Sequence, residues 1–224
     1  ARRDIATLGP LFSQVIIVGY PPFVRDVVDG AGPAVLEQDL RLLLAGESIS
    51  ERWRDGILRM IGKPGRHDDV CLIYGTADAG MMGFETPTTI SLRRLALHDS
   101  RLDDTLFGGD ARTATVVEYD PAMRFTETDD EGHLLFTVDN SMPLIRYRIK
   151  DEGAVLNSSH AAAAARHCGH RINVRTTTRG AGFVVLRGRR DVANTFHAAN
   201  LYRAPIVEAL SAYPEVLTGA SQLH

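Results

Sequence analysis

Three short apolar runs, each followed closely by a glycine, most constrain the fold of this chain. They lie at residues 15–18, 42–45 and 70–73, and a glycine follows each run within two positions. Helical patterns follow the first two runs, and in the second of them Ser50 is placed to cap a helix that reaches Met60. A strand, a glycine turn and a helix in that order are typical of an α/β unit. The sequence therefore predicts an α/β fold for this region.

The composition is that of a soluble globular protein. At 224 residues the chain can bury a substantial core, and its hydrophobic content of 44% and charged content of 24% are ordinary. There is no run of about 18 apolar residues and no signal-peptide pattern, so we expect a cytoplasmic protein that does not enter membranes. A net charge of -3 argues against a nucleic-acid surface. Cys71 and Cys168 do not suggest a disulfide framework.

The pattern changes at about residue 88. Short alternating segments at 113–119, 133–138 and 144–149 are separated by turns, which favours antiparallel hairpins or a small β-barrel. A last strand is expected at 182–186 and a helix at 204–212. We therefore divide the chain into an α/β part (1–88), a barrel-like subdomain (89–188) and a hinge with the start of a further domain (189–224). Because residues 5–10 read as the end of a helix, we expect the chain to be part of a longer protein.

Residues 74–80, YGTADAG, follow the third apolar run and offer groups that suit a nucleotide. Tyr74 could stack on a purine, Thr76 could hydrogen-bond a phosphate, and Asp78 could hold magnesium, which prefers one or two carboxylates plus phosphate oxygens. A glycine at position 75 permits a tight turn or the close approach of another group. Taken by itself, this stretch is more simply explained as a structural turn.

Two further stretches carry candidate ligand-binding groups. In PLIRYRIKDEG, residues 143–153, the carboxylate of Asp151 could accept hydrogen bonds from both hydroxyls of a ribose. In GRRD, residues 188–191, Arg189 could neutralise phosphate charge and Asp191 could lie at a bend between domains. Taken singly, the first could be an exposed acid in a charged turn and the second a basic hairpin.

The order of these stretches is more specific than any one of them. AGESIS (45–50), YGTADAG, PLIRYRIKDEG and GRRD together resemble the adenylate-forming superfamily. GYPPFVRDVVDG (19–30), ETP (85–87), VEYDP (117–121) and LLFT (134–137) are similar to its phenylacetate-CoA ligase and coenzyme F390 synthetase branch.

The resemblance implies an α/β domain followed by a small β-barrel and a hinge. It also implies that a carboxylic acid is activated with ATP and magnesium to an acyl-adenylate and passed to coenzyme A. The partners would be small molecules. The sequence does not determine the oligomeric state, and a homodimer is among the options. The residues that the resemblance assigns to nucleotide binding are Gly46, Glu47, Ser48, Tyr74, Gly75, Thr76, Asp151 and Arg189.

Each assigned residue takes a role from the family. The 46–48 stretch would border the adenine, Tyr74 would stack on it, and Asp151 would hold the ribose diol. Asp78 would bind magnesium and, with Arg189, belong to the catalytic set, while Asp191 would be the hinge. Residues 79–83 and the GYPPF segment would flank the acyl pocket.

The chain also departs from the family pattern. The hydroxyl of Thr76 comes one place early, Ala77 fills its usual position, and Lys150 stands where a glycine normally precedes the aspartate. A lysine at a positive φ would cost roughly 1 kcal/mol. The 224 residues contain neither a phosphate loop nor a lysine after Lys150, so we expect this chain alone to be inactive in adenylation. Adenylylation of a cofactor, and nucleotide binding without catalysis, remain alternative functions.

The other candidate groups have simpler interpretations. His160, His167, Cys168 and His170 match no strong zinc signature, and a polar surface helix is favoured over a metal site. Trp53 and Phe23 are interpreted as core residues, and Glu85 as either structural or part of the acyl pocket.

Overall fold

A computed structural model describes residues 1–188 with their side chains and the backbone of 193–196 and 199–202. Two compact units make up the described chain: residues 1–72, and the described residues from Ile73 to Tyr202. Arg189, Asp191 and the helix expected at 204–212 lie outside the described residues. No described helix combines the length and the apolar character that crossing a membrane requires.

Helices and strands alternate in the first part of the chain and strands dominate the later part. The helices are α1 Arg2–Leu8, α2 Pro21–Asp29, α3 Pro33–Leu36, α4 Glu51–Met60, α5 Pro87–Ala96, α6 Ser100–Phe107 and α7 Ser158–His167. The strands are β1 Val15–Gly19, β2 Leu40–Ala45, β3 Val70–Thr76, β4 Gly80–Phe84, β5 Thr115–Tyr119, β6 Arg124–Thr128, β7 His133–Val138, β8 Leu144–Asn157, β9 Gly182–Gly188, β10 Ala193–Phe196 and β11 Ala199–Tyr202.

The first unit has the predicted strand and helix succession. Its strands β1 and β2 are parallel, and the apolar side chains of α2 and α4 form one core with β2 and the start of β3. Ser50 caps α4 by accepting a hydrogen bond from the Trp53 backbone N–H at 3.1 Å, as its position predicted. Trp53 packs against this core. Phe23 does not: it is 67% exposed, so its interpretation as a core residue is wrong.

The second unit is built mainly from antiparallel strands. The pairs β5–β9, β6–β7, β7–β8 and β8–β9 are antiparallel, and β3 and β4 form a hairpin. One apolar core joins α5, α6 and α7 to one face of β5 and β9. A second core lies on the other face, where Val117, Phe136 and Val184 pack together. Tyr74 and Tyr147 are half-buried at the margin of this second core.

The expected β-barrel is not closed. Among the described residues, the strands of the second unit lie in an open sheet in the order β3-β4-β5-β9-β8-β7-β6, and β7 is the one described strand that pairs with β6. Hairpin patterning predicts antiparallel neighbours correctly but is common to open and closed sheets, because closure depends on tilt and register across all strands. The fold class is therefore mixed α/β with an open sheet, and β10 and β11 form a separate two-stranded sheet.

Candidate functional site

The YGTADAG stretch forms the end of β3, a tight turn and the start of β4. Gly75 is required by the hairpin itself: a Cβ at this position would lie 2.5 Å from the Gly80 carbonyl oxygen. Within the turn, the Thr76 hydroxyl accepts a hydrogen bond from the Ala79 backbone N–H at 2.9 Å. The backbone of the opposing strand therefore occupies the space that the missing side chain of Gly75 leaves.

Tyr74 and Asp151 meet in the second unit. The hydroxyl of Tyr74 donates to Oδ2 of Asp151 at 2.6 Å. The Tyr74 ring also packs against Phe136, with the two ring centroids 5.9 Å apart and the planes inclined by 55°. A tyrosine anchored at both its ring and its hydroxyl has little rotational freedom, so its ring and the Asp151 carboxylate keep a defined relative position.

A second tyrosine–carboxylate pair lies beside the first. The hydroxyl of Tyr147 donates to Oδ2 of Asp78 at 2.6 Å. Tyr74 precedes Asp78 by four residues on the hairpin, and Tyr147 precedes Asp151 by four on β8, so the two contacts run in opposite directions along the chain. The hairpin end therefore lies antiparallel to this part of β8. Three sequence-predicted residues, Tyr74, Asp78 and Asp151, come together there with Tyr147.

Side chains from neighbouring segments hold the backbone of the β3–β4 hairpin in this position. Asn140 donates through Nδ2 to the Ala79 carbonyl oxygen at 3.0 Å, and Arg124 donates through Nε to the Met81 carbonyl oxygen at 3.1 Å. Ala79 is also fully buried in the second core. The turn that carries Asp78 is thus anchored on both sides, although Asp78 itself is exposed.

The pairing of β8 with β7 is irregular at two places, close to the residues of β8 that contact the β3–β4 hairpin. Along the pairing with β7, Val138 opposes Leu144 and Phe136 opposes Tyr147, so β8 has one additional residue there. Between Arg148, opposite Leu135, and Glu152, opposite His133, it has two more. Such bulges redirect side chains and often lie next to active sites.

Each of the two irregular stretches of β8 contains one residue with a left-handed backbone conformation. Arg146 has φ 52° and Lys150 has φ 64°, a region that is rare for residues with a Cβ. Lys150, directly before Asp151, therefore has the positive φ that a glycine at this position would adopt easily. Backbone strain of this kind clusters at functional sites and needs support from the surrounding structure.

Gly46, Glu47 and Ser48 lie in the first unit, directly after β2. Gly46 has φ 92°, and a Cβ there would lie 3.3 Å from the ring of Tyr20. The Tyr20 hydroxyl donates to Oε2 of Glu47 at 2.6 Å, whereas Ser48 is exposed. These residues follow the carboxyl end of a strand in a parallel pair, which is where ligands bind in open α/β sheets.

Two arginines of β8 are paired with acids of the neighbouring hairpin. Arg146 lies 2.8 Å from Oε1 of Glu127. Arg148 contacts Oδ2 of Asp129 at 3.2 Å and Oε2 of Glu131 at 2.6 Å. Burial alone would raise the pKa of Asp129, but hydrogen bonds from the His133 and Glu131 backbone N–H groups, with the charge of Arg148, lower it overall.

This acidic cluster has the composition of a metal site. Within residues 1–188, one group of three metal-ligating side chains has its ligand atoms within 4.8 Å of one another: Asp129, Glu131 and His133. The guanidinium of Arg148, however, also lies 2.6 Å from Nδ1 of His133. Since one cation already contacts all three groups, we interpret the cluster as an ion-pair network.

The histidine cluster of the sequence forms no metal group among the described residues. His160 and His167 are exposed on α7, Cys168 packs against the first core of the second unit, and His170 contacts Oδ2 of Asp99 at 3.0 Å. Neither Cys71 nor Cys168 forms a disulfide. Glu85 is buried, with 3% of its surface exposed.

Tyr147 was not among the residues that the sequence predicted for the site. The available signal was a repeated spacing of four residues, from Tyr74 to Asp78 and from Tyr147 to Asp151. It was not decisive because spacing along two distant strands does not show that they meet.

No model of a known protein family matches this sequence. The comparison with curated proteins likewise finds no match.

Proposed function

We propose that this chain is the nucleotide-binding portion of an AMP-forming acid–CoA ligase, in which a carboxylic acid is activated with ATP and passed to coenzyme A. The observation that carries the proposal is the contact of Tyr74 with Asp151, 77 positions apart. If the two stretches were unrelated structural turns, we would not expect the two residues that the motifs assign to one nucleotide to be in contact. An adenosine site, by contrast, requires an aromatic ring and a ribose-binding acid in proximity.

Asp151 has the chemistry of a ribose ligand. An ionised carboxylate has two oxygens with about four acceptor positions, so a hydrogen bond from Tyr74 is compatible with others from a diol. The bond from Tyr74 also fixes the carboxylate before a ligand arrives, and such preorganisation reduces the entropy lost on binding. Tyr74 thus has two roles in the proposal, as a stacking surface for adenine and as a support for Asp151.

Asp78 fits magnesium only together with a nucleotide. A single exposed carboxylate is a weak magnesium ligand, but nucleotide-linked magnesium is commonly held by one or two carboxylates plus phosphate oxygens. Asp78 lies on the same hairpin as Tyr74, four residues further along. The role of Asp78 in the proposal is to bind and orient the ion that the nucleotide brings, which would neutralise phosphate charge.

A second candidate function is nucleotide binding without adenylation. The observation that favours it is that the Thr76 oxygen accepts the Ala79 backbone N–H within the turn, which ties the hydroxyl to the hairpin and leaves only its single proton to donate to a phosphate. This chain would then recognise AMP or ATP as a sensor or scaffold.

Calorimetric titration of this chain with ATP and with AMP tests the shared part of both proposals. Binding should be detectable and should weaken at least tenfold in Asp151→Ala, because a hydrogen bond to a charged group contributes about 1.5–3 kcal/mol. Asp130→Ala, at an exposed turn acid, is the matched control and should bind as the unaltered chain does. A chain that binds neither nucleotide contradicts both proposals.

Turnover separates the two functions. Pyrophosphate exchange by the protein that contains this chain, measured with a panel of aryl acids, should be present if the first function is correct. It should fall steeply in Asp151→Ala. Tight AMP binding with no exchange supports the second function and rejects the first.

A further inference from the structure

Asp78 is held by a residue to which the motifs give no role. Its Oδ2 accepts a hydrogen bond from the Tyr147 hydroxyl at 2.6 Å. We propose that Tyr147 is a positioning residue that orients the Asp78 carboxylate for a nucleotide-bound divalent cation. The inference rests on the proposed function, because it requires that Asp78 meets such a cation.

The hydroxyl of Tyr147 has a fixed position, whereas Asp78 by itself does not. The Tyr147 ring is half-buried against the second core of the second unit. Asp78 is exposed at the hairpin tip, where a short acidic side chain would otherwise exchange between rotamers. A charge-assisted hydrogen bond from an anchored phenol selects one of those rotamers.

The backbone of β8 is arranged to bring Tyr147 to this place. In a regular strand, side chains alternate between faces, so Leu144 and Arg146 would share the core face and Tyr147 would point away. The additional residue between Leu144 and Tyr147 reverses that alternation, and Leu144 and Tyr147 both pack against the same core. Arg146, between them, takes the strained φ of 52°. The strain is thus associated with the orientation of Tyr147.

Support of a ligating carboxylate by a neighbouring hydrogen bond is a general feature of metal sites. Loss of such a partner typically reduces metal affinity about 10- to 100-fold while the ligand itself remains. For an exposed site we expect the lower end of that range. The loss should affect the cation-dependent part of nucleotide binding and leave adenosine recognition largely intact.

The chain contains its own matched control. Tyr74→Phe removes the hydroxyl of the other tyrosine–carboxylate pair by the same chemical change. If the two pairs have separate roles, Tyr147→Phe reduces the effect of the cation, and Tyr74→Phe reduces nucleotide affinity with or without it. A role in folding alone would give neither of these patterns.

The test is ATP affinity of this chain measured with and without Mn²⁺, together with bound Mn²⁺ counted by electron paramagnetic resonance in the presence of ATP. The ratio of ATP affinity with Mn²⁺ to ATP affinity without it should fall about tenfold in Tyr147→Phe. The affinity for Mn²⁺ should fall to the same extent in that variant. In Tyr74→Phe the ratio should be unchanged. Adding Tyr147→Phe to Asp78→Asn should have little further effect on the ratio, because both changes act through one carboxylate.

The outcomes are distinguishable. ATP binding with the same Mn²⁺ dependence in the unaltered chain and in Tyr147→Phe overturns the inference and leaves the proposed function standing. A further tenfold loss in the Asp78→Asn background also overturns it, because Tyr147 would then act elsewhere. No ATP binding by the unaltered chain rejects the proposed function and, with it, this inference.

Discussion

The hydroxyl of Tyr74 donates to Oδ2 of Asp151 at 2.6 Å, and this contact joins the end of β3 to β8 across 77 positions of the chain. In the sheet, β3 and β8 are separated by β4, β5 and β9. The contact is therefore made by the side chains of two strands that are not neighbours in the sheet. Two of the proposed nucleotide ligands depend on it for their relative position.

The first prediction concerns the stability of this contact. Tyr74→Phe and Asp151→Ala should each lower the free energy of unfolding, and the double variant should lose less than the sum of the two. We expect a coupling of about 1.5 kcal/mol, the low end for a hydrogen bond to a charged group, because the pair is only partly buried. Urea unfolding of the four proteins measures it. Additive losses would mean that the two side chains do not interact in solution.

The second prediction concerns the left-handed lysine. Lys150→Gly should raise the free energy of unfolding by about 1 kcal/mol, because glycine adopts a positive φ without the steric cost of a Cβ. Lys150→Ala is the matched control: it also removes the charged side chain but keeps the Cβ, so it should not give the same gain. Equal unfolding free energies for the glycine and alanine variants would show that the left-handed backbone has no cost here.

The third prediction concerns Gly153, where β8 packs most closely on its neighbour. A Cβ there would lie 2.2 Å from the Val185 carbonyl oxygen and 2.9 Å from Cδ1 of Leu134. Gly153→Ala should therefore lower the free energy of unfolding by about 1–3 kcal/mol, as overpacking does.

Gly56 provides the control for that substitution. It lies within α4, and a Cβ there meets nothing within 4 Å. Gly56→Ala should raise the free energy of unfolding by about 0.5–1 kcal/mol, the difference in helix propensity. Thermal and urea unfolding should give shifts of opposite sign, and shifts of the same sign would contradict the packing described for β8.

The fourth prediction concerns stability in acid. Hydrogen bonds from Gln14 and Lys63 lower the pKa of Asp39 from its usual 3.8 to about 2. A carboxyl whose pKa is lower in the folded chain stabilises the fold above its unfolded pKa, and that contribution disappears as the pH falls through the folded value. The melting temperature should therefore decrease between about pH 4 and pH 2, in part because of this group.

Two variants isolate that contribution. Asp39→Asn should flatten the decrease in melting temperature over the same pH range, because the titrating group is gone. Gln14→Ala should flatten it partly, since Gln14 is the largest cause of the lowered pKa. A decrease of unaltered size in Asp39→Asn would assign the acid sensitivity to other groups.

Elements with strong local signals were predicted well from the sequence. The helix after Ser50 ends at Met60 as expected, and β7 spans the predicted residues 133–138. Both have their signals within a few residues: a capping serine in one and a short apolar segment next to a turn in the other. The helices α5 and α6 were missed. The N-terminus of α5 is capped by Thr86 with Thr89 in a reciprocal pair, whereas the acidic form of that box is the more recognisable signal.

The sequence indicated residues of the candidate site but not the geometry that brings them together. Tyr74, Asp78 and Asp151 were identified by type and order, but β8 was expected to end at Ile149 and instead continues to Asn157 through its two bulges. A bulge depends on the pairing of two strands, and so does the contact of Tyr147 with Asp78. Neither is encoded in the alternation of a single segment.

Recognition of the ribose by Asp151 is the central claim, and comparison of AMP with 2′,3′-dideoxy-AMP tests it most directly. In calorimetric titrations, the unaltered chain should bind AMP at least tenfold more tightly than the dideoxy nucleotide, because the hydroxyls donate to the carboxylate. In Asp151→Ala the two affinities should become nearly equal. Equal affinities already in the unaltered chain, or a preference for AMP that survives in Asp151→Ala, would contradict the account.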